Sequence, residues 1–236
     1  MSDVAILPEH RDRQAPHPSL TICVGAMPWF AAWCGSYLLH SAVASFLLYH
    51  SLCFSAALIY RARFGPRSSK PFPRHHWLAL AGGCLAGCFV VYLTIGFVGA
   101  LTDPARVLMG LRLQHIPLDK ESYVLLFAYF AIVNPIAEEF FWRGTIYSGL
   151  RRRHLHIRAC SNIDAVLFGS WHWLIVRLFF SPLMALVITV GIVFVGEIFC
   201  RFYERTRSLP ALCLLHGLGA DVPVLLVLWF AVLCKN

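Results

Sequence analysis

The chain has 236 residues, of which 58% are hydrophobic and only 14% charged. With a mean hydropathy of +0.66 it is too apolar for a soluble domain and belongs in a lipid bilayer. Its formal charge of +8 is grouped in short stretches between apolar runs, which speaks for membrane topology and against a nucleic-acid partner.

The first residues, Met1, Ser2 and Asp3, lead through Glu9, His10, Arg11, Asp12 and Arg13 into the first apolar run. This order lacks the basic, apolar and small-residue succession of a cleaved signal, so the first span is expected to remain as an anchor. Residues 1–19 are read as a polar tail. From Leu20 to Tyr60 the chain is almost free of charge; as one helix that run would be roughly 60 Å long, about twice the hydrocarbon thickness. Two spans with a turn near Gly35 to Ser41 fit the bilayer better.

Further spans are expected at Trp77 to Leu101, Ser122 to about Leu150, Ile163 to Phe180, Leu183 to Tyr203 and Leu209 to Leu233. The fold class is therefore all-α, a polytopic membrane protein of about seven transmembrane helices. Apolar segments follow one another without a long linker, so one compact membrane domain is expected.

Basic residues cluster after the second span (Arg61, Arg63, Arg67, Lys70, Arg74), after the fourth (Arg151, Arg152, Arg153, Arg158) and after the sixth (Arg201, Arg205, Arg207). With this count all three loops fall on one side, which the positive-inside rule makes cytoplasmic, together with the N-terminus. In a prokaryote the bilayer is the cell membrane. Nine cysteines at 23, 34, 53, 84, 88, 160, 200, 213 and 234 form no C-x-x-C pair and read as small packing residues.

A charge at the centre of a span costs at least about 2.5 kcal/mol, so ionisable residues there meet a partner or water and mark function. The fourth span carries Asn134, Pro135, Ile136, Ala137, Glu138, Glu139, Phe140, Phe141, Trp142 and Arg143. Glu139 and Arg143 are four apart and share a helical face, whereas Glu138 points about 100° away. One carboxylate is then neutralised while the other sees a different environment, as acid/base chemistry requires; a purely structural pair is the plain alternative. Asn134, one turn before Glu138, either orients that carboxylate or packs beside Pro135.

The fifth span brings His172 four residues after Phe168, within an aromatic stretch. The seventh brings His216 and Asp221 among the small residues Gly217, Gly219 and Ala220, which allow another helix to come close. Each histidine taken alone is more often a hydrogen-bonded packing residue than a catalytic one. Together, polar groups on three spans make a water-activating site if they converge on a cavity between the helices. Glu197 and Arg201, just before a basic loop, read as a structural ion pair.

The pattern E-E-x-x-x-R (Glu138, Glu139, Arg143), F-x-x-x-H (Phe168, His172) and an opening H (His216) resembles the CAAX-protease and bacteriocin-processing family, relatives of the type II CAAX prenyl endopeptidases. The likeness covers roughly Ser122 to Leu226 and makes residues 122–233 the catalytic membrane core, with 20–121 as N-terminal spans. It implies a glutamic-type intramembrane endopeptidase acting on a membrane-associated protein or peptide. In it Glu138, assisted by His172, activates a water, His216 steadies the oxyanion, and Glu139 and Arg143 hold the site in shape. Asn134, Phe168 and Asp221 would support them.

One departure stands out. The family's final H-x-x-x-N or D would place a polar group at 220, where this chain has Ala220; Asp221 comes one residue later, about 100° off the expected face of a regular helix. Either a local bulge restores it or that polar group is missing.

No cofactor is expected. A zinc peptidase could use one Glu and two His as ligands, but no H-E-x-x-H is present. Serine (Ser170 with His216), aspartyl (Asp221 with Asp164) and cysteine (Cys213) arrangements are weaker alternatives. A non-catalytic scaffold, regulatory or immunity protein on the same fold is the reading from outside enzymology.

Overall fold

The structure is a computed structural model in which residues 16–65, 77–78, 80–89, 104–116 and 119–229 are described. The described residues form helices and short connections, with no strand among them. In chain order the helices are α1 (Pro18–Trp33), α2 (Ala42–Phe64), α3 (Leu80–Phe89), α4 (Pro104–Leu113), α5 (Lys120–Ala128), α6 (Asn134–Phe141), α7 (Ser148–Arg152), α8 (Ile157–Ser170), α9 (His172–Phe179), α10 (Pro182–Thr206), α11 (Leu209–His216) and α12 (Val222–Leu228). Wider π-helical turns continue α1 at Cys34–Leu38, join α5 to α6 at Tyr129–Val133 and α6 to α7 at Trp142–Tyr147, and join α11 to α12 at Gly217–Asp221.

Helix starts follow local chemistry. Ser41 Oγ accepts from the Ala44 amide at 3.2 Å, an Asp119 carboxylate oxygen from Ser122 at 2.8 Å, and Ser208 Oγ from Ala211 at 3.3 Å. Each satisfies an amide that the first helical turn leaves without a backbone partner. Ser181 caps α10 in the same way, with Pro182 opening the helix.

The basic ends of several helices meet at one end of the bundle. Arg152 donates to the Gly65 carbonyl beyond α2 at 2.9 Å, and Arg153 to the Pro16 carbonyl ahead of α1 at 3.2 Å. Arg151 and Arg207 both pair with Glu204, at 3.4 and 2.6 Å. At the opposite end Gln114 donates to the Ser36 carbonyl between α1 and α2, and the Tyr123 hydroxyl donates to the Leu225 carbonyl. Thus α1 leaves the basic end, α2 returns to it, α5 to α7 run back to it, and α8, α10 and α11 alternate in direction. The turn between the first two passes lies at Leu39–Ser41, within the Gly35 to Ser41 stretch expected for it.

Among the described residues, four helical stretches are long and apolar enough to cross a membrane: Ala42–Phe64, Glu121–Arg152, Pro182–Thr206 and Leu209–Leu226. The seven spans expected from the sequence are not all of this kind. The expected fifth, Ile163 to Phe180, is broken at Trp171 between α8 and α9 and carries Asp164 and Arg177; the first, α1 with its π turn, also lies outside the four. Of the third, Trp77 to Leu101, little more than α3 lies within the described residues, and the end of the seventh and most of the polar tail lie outside them.

The bundle is apolar outside and holds its buried polar groups within a largely apolar core. On α10, Leu183, Val187, Val190, Phe194 and Ile198 form an exposed stripe, while Ala185, Thr189, Gly196, Cys200 and Tyr203 are buried. Lipid removes the usual hydrophobic drive for association, so close packing and interhelical hydrogen bonds hold the helices. Small residues provide the close approaches. A Cβ on Gly217 would lie 2.4 Å from the Ala131 carbonyl oxygen, and one on Gly87 only 1.9 Å from that of Gly219. The π turn after His216 is thereby clamped between α3 and the turn at Tyr129–Val133.

Candidate active site

The fourth membrane stretch carries the centre of the site. Asn134, Glu138, Glu139 and Arg143 are all buried, Glu139 and Arg143 completely. Glu139 Oε1 accepts from Arg143 Nη1 at 3.1 Å, the i, i+4 pair expected from the sequence. Arg143 is held on every side. Its Nη2 donates to the Gly196 carbonyl at 3.0 Å, its Nε lies 3.4 Å from Asp164 Oδ2, and its guanidinium faces the Phe168 ring at 4.6 Å and the Phe199 ring at 5.4 Å. Cys200 Sγ donates to the same Asp164 oxygen at 3.1 Å. Fork geometry and permanent charge make arginine suited to such multiple pairing in a buried site.

His216 joins the two glutamates. Its Nδ1 is 2.7 Å from Glu139 Oε1, and its Nε2 is 3.6 Å from Glu138 Oε2. The same Nε2 lies 3.4 Å from Asp221 Oδ1. This last contact depends on the π-helical turn Gly217–Asp221. In a regular helix a residue five positions on is rotated well away, whereas the i→i+5 closure of a π turn brings it back to the starting face. Asp221 therefore shares the His216 side of its helix despite Ala220 occupying the fourth position.

Asp221 is also tied to the fourth stretch, because Asn134 Nδ2 donates to its Oδ2 at 2.9 Å. Phe168 packs edge-on against both histidines, with ring centroids 5.2 Å from His172 and 6.1 Å from His216. His172 is fixed through Nδ1, which bonds the Phe168 carbonyl at 2.8 Å, and its ring lies on Trp171 with centroids 4.0 Å apart. Its ionisable neighbours are His216 and Asp221. Among the described residues no hydrogen bond or ion pair joins it to Glu138.

Three residues of the cluster are not assigned to it by the sequence. Asp164, the second partner of Arg143, enters there only as half of an aspartyl pair; it stands four before Phe168 and eight before His172, one stripe of a helix, and that spacing is the available signal. Tyr49 and His50 come from α2. The Tyr49 hydroxyl accepts from Trp142 Nε1 at 2.9 Å and lies beside Glu138. His50 Nε2 bonds Asn134 Oδ1 at 3.0 Å, and its Nδ1 bonds the Tyr129 hydroxyl. His50 is the only histidine or charged residue between Ser41 and Tyr60, a signal submerged by the apolar run around it.

The weaker hydrolase arrangements are not assembled. Ser170 Oγ accepts from Trp29 and Cys213 Sγ donates to the Pro135 carbonyl, so neither engages His216. Asp164 and Asp221 are separated by the Arg143, Glu139 and His216 chain of contacts. Among the described residues no group of three or more His, Cys, Asp and Glu side chains is placed to hold a metal ion. Glu197 and Arg201 form their ion pair at 2.8 Å, near the basic end.

Membrane-crossing helices around a buried glutamate, histidine and arginine cluster define a polytopic membrane protein with an internal polar site. Residues 120–219 match the family model for Rce1-like type II CAAX prenyl endopeptidases, a family of peptidases, so this stretch is similar to that family. No curated protein and no solved structure matches the chain. The matched segment holds the whole E-E-x-x-x-R, F-x-x-x-H and His216 set, and it stops short of Asp221.

Proposed function

We propose that the chain is an intramembrane endopeptidase in which Glu138, with His172, activates a water for attack on a peptide carbonyl of a membrane-associated protein or peptide. His216 stabilises the oxyanion, while Glu139, Arg143, Phe168, Asn134 and Asp221 position the reacting groups. The observation that carries this reading is His216 set between two glutamates of different surroundings: Glu139 is bound by Arg143, whereas Glu138 keeps a looser 3.6 Å approach and is the one left to take a proton from water. The Rce1-like match over residues 120–219 supports the peptidase class.

The substrate class is a C-terminal CAAX-type tail or a related processing signal reaching a cavity between the helices. No metal takes part in this mechanism. The topology that goes with it has seven passes, with the basic end of the bundle and the N-terminus cytoplasmic.

The test is cleavage of membrane-tethered and prenylated peptides by purified protein. Glu138→Gln, His172→Ala and His216→Ala are each expected to lower kcat by about 10²- to 10⁴-fold with unchanged folding, and a chelator is expected to have no effect. Folded wild type that cleaves no member of the panel, or a Glu138→Gln variant as active as wild type, overturns the reading in favour of a scaffold. Loss of activity on chelation would return zinc to the site.

A further inference from the structure

Ahead of the family-matched segment, His50 contributes a polar side chain to the cluster. It is buried in the middle of α2, and both its ring nitrogens are engaged with the fourth membrane stretch. The chemistry of each partner sets the direction of the bonds. An Asp221 carboxylate oxygen is an acceptor, so the Asn134 amide must present its Nδ2 to it, as the 2.9 Å contact has it. Asn134 Oδ1 then faces His50 and needs a donor, which is the Nε2–H. A neutral ring carrying its proton on Nε2 leaves Nδ1 as an acceptor for the Tyr129 hydroxyl.

The result is one directed chain: Tyr129 O–H to His50, His50 N–H to Asn134, Asn134 N–H to Asp221, with His216 Nε2 at 3.4 Å on the other Asp221 oxygen. The His50 ring is also immobilised, stacked on Phe46 with centroids 6.0 Å apart and an interplanar angle of 9°, with Tyr49 on its neighbouring side at 5.0 Å. Without the His50 donor, the Asn134 amide has no reason to keep Nδ2 rather than Oδ1 toward Asp221, and a flipped amide would set oxygen against carboxylate.

We propose that His50 is a positioning residue of the hydrolytic site: by donating to Asn134 it locks the amide that holds Asp221 against His216, so that α2 completes a site whose other members lie between residues 134 and 221. This rests on the reading of Glu138 and His216 as that site.

The deciding experiment compares His50→Phe, His50→Gln and His50→Asn in full-length protein in detergent, by peptide cleavage and by the ring ¹⁵N shifts of His216 in histidine-labelled samples. A glutamine amide reaches the place of Nε2 and can donate to Asn134; an asparagine amide falls short. His50→Phe and His50→Asn are expected to lower kcat by about 10- to 100-fold with KM within about twofold, and to move both His216 ¹⁵N resonances. His50→Gln should restore kcat to within about threefold and leave those resonances in place.

His50→Phe combined with Asn134→Ala should be no worse than Asn134→Ala alone, since both act through one chain. If His50→Phe does not fold, the contrast between His50→Gln and His50→Asn decides alone. Equal kcat for these two variants, with unmoved His216 resonances, overturns the proposal while leaving the endopeptidase intact. If the wild type cleaves nothing, the function fails instead, and the His216 resonances still decide whether His50 holds the chain in place.

Discussion

Arg143 carries more of the site than its sequence spacing discloses. The i, i+4 relation to Glu139 was readable, because helical periodicity alone puts those side chains together. Asp164, the Gly196 carbonyl and the two phenylalanine rings come from other helices, and no spacing rule reaches them. The physical weight lies in the burial: removing one member of a buried ionic set leaves the others charged and unpaired, at a cost of about 3–5 kcal/mol. Arg143→Leu is therefore expected to lower the thermal midpoint of detergent-solubilised protein sharply. Arg143→Lys should recover little of it, because an ammonium cannot span Glu139, Asp164 and the Gly196 carbonyl together; a lysine variant as stable as wild type would show that point charge alone suffices.

Among the elements, the π turns do the positioning. The turn at Gly217–Asp221 brings Asp221 to His216, while that at Tyr129–Val133 sits immediately before Asn134. The two turns pack directly together, with Gly217 against the Ala131 carbonyl. Gly217→Ala places a methyl group 2.4 Å from that oxygen, so the turns must part. The expected destabilisation is about 1–3 kcal/mol, with loss of cleavage greater than the lost folded fraction explains. Thermal melts paired with kcat measure both; a Gly217→Ala protein with wild-type kcat would mean the turns can separate without disturbing His216. Nothing in the local sequence distinguishes a π turn from a regular one, since the extra residue is stabilised by contacts on the neighbouring helices.

For the whole molecule, the family-matched segment is not a self-sufficient unit. Residues 120–219 bring Glu138, Glu139, Arg143, Asp164, His172 and His216, but α2 supplies Tyr49 beside Glu138 and His50 on Asn134. A fragment beginning at residue 117 is accordingly expected to show no cleavage and to aggregate on purification, and co-expression with residues 1–116 should restore activity. Full activity from the fragment alone would remove α2 from the mechanism. Orientation belongs to this scale as well: an epitope tag placed between Arg153 and His154 should be protected in sealed right-side-out vesicles and digested in inverted ones.

Composition, spacing and charge by themselves determined that this is a helical membrane chain, that the basic connections lie together, and that Glu138, Glu139, Arg143, His172 and His216 are the polar residues to explain. These follow from one-dimensional rules, namely the cost of charge in lipid, the 3.6-residue turn and the positive-inside bias. Only the tertiary structure decided that Asp221 reaches His216 through a π turn, that Asp164 completes the Arg143 pairing, and that α2 holds Asn134. Each of these depends on a partner far away in the chain, and a helix exchanges its regular period or buries a polar group only where such a partner satisfies it.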